Sequence, residues 1–172
     1  MTRPTQAIFA LIMAIAPVVF MPGSAWAEVC ASAEENEAFQ LRQLQSRLMV
    51  AALSCGQADA YNAFVTHHKP DLGRYGPRLI SYYNRTDGGQ AALNRYVTGL
   101  ANAAASIRAG DPVGFCTQTW QVFWDLEQDP SQLLTLAAAH PISLISQPTP
   151  CEAAVDPSQN KTAVPSRGTA AQ

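Results

Sequence analysis

The chain has 172 residues, 48% of them hydrophobic, with 11 basic and 13 acidic side chains and a formal charge of −2. That is one ordinary domain with enough apolar material for a real core. The charge balance implies neither nucleic acid nor an anionic membrane surface as a partner.

In chain order, Arg3 is the only charged residue before Glu28, and Ala7 to Phe20 is almost wholly apolar. Met21-Pro22-Gly23-Ser24-Ala25-Trp26-Ala27 follows. A basic start, a hydrophobic stretch and a small-x-small site predict a cleavable signal peptide over residues 1–27. Pro22 and Gly23 favour the extended backbone that a signal peptidase needs, and Ala25 and Ala27 supply the small side chains. An uncleaved anchor fits less well, because the apolar stretch is shorter than the roughly 20 residues that span a bilayer and Pro17 interrupts it. Cys30 follows Glu28 and Val29, not the small residues of a lipoprotein site. The expected mature chain retains 10 basic and 13 acidic side chains, a formal charge of −3. It is expected in a bacterial periplasm, without membrane insertion.

All four cysteines (Cys30, Cys55, Cys116 and Cys151) lie after the expected cleavage site. An even number in an exported chain reads as two disulfides. No Cys-x-x-Cys is present, which removes a c-type haem site, a dithiol redox centre and a zinc ribbon.

The first helix is predicted from about Ser32 to Ser54. Leu41, Leu44, Leu48, Ala51, Ala52 and Cys55 share one face, with Arg42, Gln43, Ser46 and Arg47 on the other. Ser32 and Glu35 form a capping-box pattern, and Gly56 is placed to end the helix. A second helix starts near Asp59 and is expected to break around His68 to Pro70, then continue to about Arg85. Leu72, Tyr75, Leu79, Tyr82 and Tyr83 share a face of that continuation, with Arg74, Arg78 and Arg85 on the opposite one. Asp87-Gly88-Gly89 is a turn signal.

The next helix, about Gln90 to Ala109, buries Leu93, Tyr96, Val97, Leu100, Ala104 and Ile107. Asp111 and Pro112 start another, whose expected buried stripe is Val113, Cys116, Trp120, Phe123 and Trp124. Asp129-Pro130 repeats the start signal for a short helix, Ser131 to Ala139, stopped by Pro141. Ile142 to Cys151 reads as extended. Residues 152–172 hold too little apolar content to pack and are expected to be disordered.

No stretch reads clearly as a sheet. The expected fold is all-α, an up-down bundle of four main helices with a short extra C-terminal helix and two disulfides, occupying residues 28–151. In that topology Cys55 ends the first helix at the end of the bundle where Cys116 begins the last main one. Cys30 and Cys151 both belong to the opposite end. The predicted pairs are therefore Cys55–Cys116 and Cys30–Cys151.

Chemistry-bearing residues are sparse. His67 and His68 point about 100° apart on a regular helix and do not share a metal, and no cofactor or metal is expected. Asp125, Glu127 and Asp129 form a small acidic group of the kind glycoside hydrolysis uses, although Asp129 is better explained as a helix cap. No nucleophile elbow, phosphate loop or dinucleotide fingerprint occurs. Tyr61, Tyr75, Tyr82, Tyr83, Tyr96, Trp120 and Trp124 could line a ligand pocket, but at their helical spacings most read as core. Arg74, Arg78 and Arg85 are the one positively motivated face, suited to an anionic partner.

The run Leu48-Met49-Val50-Ala51-Ala52-Leu53-Ser54-Cys55, followed by Tyr61-Asn62-Ala63-Phe64-Val65, resembles small exported proteins of alphaproteobacteria that have no established activity. The likeness extends from about Cys30 to Cys116 and implies only a compartment and a helical fold. The expected role is that of a non-catalytic binding or structural protein of the cell envelope, with a protein or envelope component as partner. An inhibitor or immunity-type protein is the second class, and a hydrolase using acids near Asp125 the third.

Overall fold

The structure is a computed structural model that describes residues 30–86 and 88–151. The expected signal peptide (1–27) and C-terminal tail (152–172) lie outside the described residues. Among the described residues six α-helices follow in order: α1 Ala33–Ser54, α2 Ala58–His67, α3 Lys69–Arg85, α4 Gly89–Gly110, α5 Pro112–Gln128 and α6 Leu133–Ala139. A 3-10 turn, Pro130–Gln132, leads into α6. Among the described residues there is no strand, only an isolated parallel bridge between Ala31 and Pro150. No described helix is long and apolar enough to cross a membrane.

The helix boundaries have local causes. Ser32 Oγ accepts from the Glu35 N–H, and Glu35 Oε2 accepts from the Ser32 N–H at 2.9 Å, which completes the capping box. Gly56, at φ +70°, takes the left-handed conformation just past α1. The chain breaks at His68, between α2 and α3, with Pro70 in the first turn of α3. Pro77 stands inside α3, which continues through it without the hydrogen bond its ring nitrogen cannot donate. Asp111 Oδ1 accepts from the Gly114 N–H at 2.9 Å, capping α5. Asp129 accepts from Ser131 and Gln132, and these hydrogen bonds hold its carboxyl below the usual range.

Helix α1 is the hub of the molecule and packs against each of the other five. Phe39, Leu41, Leu44 and Leu48 join Phe64, Tyr75, Leu79, Tyr82, Val122 and Leu126 in the larger core cluster. Val50 and Ala51 join Leu100, Ala104, Phe115 and Ile142 in a second. The side of α1 expected to face water is therefore also covered, and Gln43, Ser46 and Arg47 are buried. Gln43 and Arg47 are accommodated by specific partners. Gln43 accepts from the Ile142 N–H at 2.8 Å. Arg47 donates to Gln118 at 3.0 Å and lies over the Phe115 ring. Buried polar groups persist where such partners exist.

The four cysteines pair as Cys55–Cys116 and Cys30–Cys151, with Cα atoms 5.6 and 4.8 Å apart. Beside the second bridge, Ala31 N–H donates to Thr149 and Cys151 N–H to Ala31. The C-terminal segment is thus fastened to the start of α1 by backbone and sulfur together.

Helix α5 departs from its predicted register. Its buried face is Phe115, Thr119, Val122, Phe123 and Leu126, while Val113 is 77% exposed, Trp120 54% and Trp124 46%. Thr119 lies within the buried stripe. Its hydroxyl is satisfied inside by the Phe115 carbonyl at 2.9 Å and Gln57 Oε1 at 3.0 Å, so a nominally polar residue occupies a core position. The two tryptophans, expected as core, are turned outward.

Candidate functional site

The outward turn of α5 creates a groove against α2. Phe64 of α2 and Phe123 of α5 form its floor, with ring centroids 6.4 Å apart. Trp120 and Trp124 form one wall, one helical turn apart and stacked with 14° between their planes. The groove encloses about 450 Å³. That falls within the roughly 300–1,000 Å³ of small-molecule sites, which are mostly apolar with a few polar groups.

Asp59 and Glu127 bring carboxylates to the groove, and His67 and His68 bring imidazoles; no lysine or arginine lines it. Asp59 sits in the first turn of α2, where the helix dipole favours a carboxylate. Glu127 is in the last turn of α5, where the dipole opposes one. Both are exposed, and neither is hydrogen-bonded or ion-paired among the described residues. His68 is buried, packs on Phe64 at 5.3 Å, and has Nδ1 3.6 Å from Asp71. Burial pushes its imidazole below the ordinary histidine range, against the opposing pull of Asp71.

The other residues of interest lie elsewhere. Arg85 is bound by both carboxylate oxygens of Glu35, which holds that carboxyl below its usual range. Arg78 pairs with Glu34 at 2.7 Å, and Arg74 with Asp71 at 3.2 Å while lying over the Tyr75 ring. The three arginines thus face carboxylates of their own chain, two of them on α1. Of the acidic group, Asp125 accepts from Gln121 and Asp129 caps the turn before α6, leaving only Glu127 at the groove. Tyr75 and Tyr82 are core, and Tyr83 and Tyr96 pack around Phe39. Burial pushes the Tyr83 phenol up to about 12. No group of three or more His, Cys, Asp or Glu suited to a metal occurs among the described residues.

The sequence favoured core over pocket lining for Trp120 and Trp124 because they fit a buried helical stripe equally well. The available signal was the competing stripe Phe115-Thr119-Val122-Leu126, which leaves the indoles outside. A search of protein-family models, curated proteins and solved structures finds no match to this chain.

Proposed function

We propose that this chain is a non-catalytic binding protein of the bacterial cell envelope and that the α2–α5 groove is its ligand site. One observation carries the reading: two adjacent tryptophans are about half exposed beside an apolar cavity. Tryptophan is highly buried on average, and apolar surface gathered around a concavity marks an interaction site more often than a bare surface.

The chain is exported to the periplasm by cleavage after Ala27, leaving the helical domain 28–151 and the tail 152–172. Two disulfides support an oxidising compartment. The scaffold is an up-down ordering of α1, the broken α2–α3 pair, α4 and α5. The short connections and the bridging of Cys55 at the end of α1 to Cys116 near the start of α5 support that ordering.

Saturation-transfer NMR with the low-molecular-weight fraction of a host envelope extract tests the reading. Signal should transfer to a bound component with the unmodified chain and vanish with the Trp120→Ala/Trp124→Ala variant. Equal transfer to both proteins, or none to either, refutes the groove as a ligand site.

A further inference from the structure

Resting on the reading of the α2–α5 groove as a ligand site, we infer that its ligand is a small organic cation of the alkylated-ammonium type. Apart from the imidazoles of His67 and His68, the ionisable groups lining the groove are both acidic. Asp59 stands at the α2 side and Glu127 at the α5 side, and no basic lysine or arginine shares the lining. The same lining holds the stacked indoles of Trp120 and Trp124. Tryptophan presents the best π-face for a cation, and such contacts strengthen as the cation is desolvated.

Glu127 sharpens the inference. Its carboxylate is exposed and makes no hydrogen bond or ion pair among the described residues, so it is free to meet a cation at the groove. An alkylated ammonium also matches the groove's fixed charges. Its polar groups are two carboxylates, two imidazoles and the indole N–H groups, with no lysine or arginine to hold an anion. The volume of about 450 Å³ suits a small molecule and not an extended basic peptide.

Isothermal titration of the full chain with choline, beside its neutral carbon isostere neohexyl alcohol, tests this. Choline should bind at least about tenfold more tightly than the isostere. An Asp59→Asn/Glu127→Gln variant, checked by circular dichroism to retain its helices, should lose about tenfold in choline affinity while binding the isostere unchanged. Trp120→Phe/Trp124→Phe should weaken choline less than the corresponding alanine changes. Equal affinity for choline and isostere, no binding of choline, or undiminished choline binding by the Asp59→Asn/Glu127→Gln variant would overturn the inference. So would binding of N-acetylglucosamine or a lysine-rich peptide in place of choline. If the envelope extract still transfers signal through the tryptophans while choline fails, only the cation assignment falls; if the extract signal is absent, the ligand site itself falls.

Discussion

Phe115 and Trp120 lie on opposite sides of α5: the phenyl ring is sealed in the core beneath Arg47, whereas the indole is more than half exposed at the groove. This relationship defines the rotational register of the helix. Phe115→Ala should cost about 3–5 kcal/mol, the range for removing a buried aromatic side chain. Trp120→Ala/Trp124→Ala should cost clearly less, despite deleting two larger rings. Urea midpoints of the three proteins check this, and a reversed order would place the tryptophans in the core.

The helix starts and stops were legible because they are local chemistry. Ser32 with Glu35, Gly56, Asp111 before Pro112, and Asp129 before Pro130 each satisfy or terminate a turn with residues within four positions. The disulfide pairs were also legible, since helix order alone brings the right cysteine ends together. Which face of a helix is buried was harder. On α1, Gln43 and Arg47 look like solvent residues until the segment at Ile142 and the side chain of Gln118 are folded against them. On α5 the buried face includes Thr119, whose hydroxyl is paired with Gln57, 62 residues away. Hydrophobic periodicity does not encode such distant partners, and so the groove did not emerge from the sequence.

Non-reducing peptide mapping should link Cys55 to Cys116 and Cys30 to Cys151. The bridged residues are 61 and 121 positions apart, so each bridge stabilises by about 4–5 kcal/mol in the chain-entropy treatment. Full reduction should lower the urea midpoint substantially. A Cys30–Cys55 link would contradict the helix arrangement.

Glu35 closes the capping box of α1 and clasps Arg85 of α3. Glu35→Ala should destabilise by about 0.5–1.5 kcal/mol through loss of the hydrogen bond that its carboxylate accepts from the Ser32 N–H alone. A double-mutant cycle with Arg85→Ala separates the ion pair from the cap. The folded carboxyl is held below its ordinary value of 4.5, led by the Arg85 hydrogen bond. Its stabilisation is therefore fully present above that value and is lost as pH falls through the folded value. Glu35→Gln should flatten the stability profile below about pH 4.5.

A second acid-sensitive step should come from histidine. Burial lowers His68, and burial followed by the field of Arg47 lowers His140, below the ordinary 6.5. The unfolded chain takes up these protons first, so stability should decline as pH drops below about 6.5 and level off below the folded values. His68→Gln should reduce the difference between melting temperatures at pH 7.5 and pH 5.5. An unchanged difference in both His68→Gln and His140→Gln would show that neither imidazole is held neutral by the fold.

The ligand site is tested most directly by fluorine NMR of the chain labelled with fluorotryptophan, which reads the groove at its wall. The chain holds three tryptophans, and Trp120→Phe and Trp124→Phe assign the two groove signals. Adding the low-molecular-weight envelope fraction should shift both groove resonances together in a saturable way. Trp120 and Trp124 resonances that stay fixed across the titration would contradict a ligand site between α2 and α5.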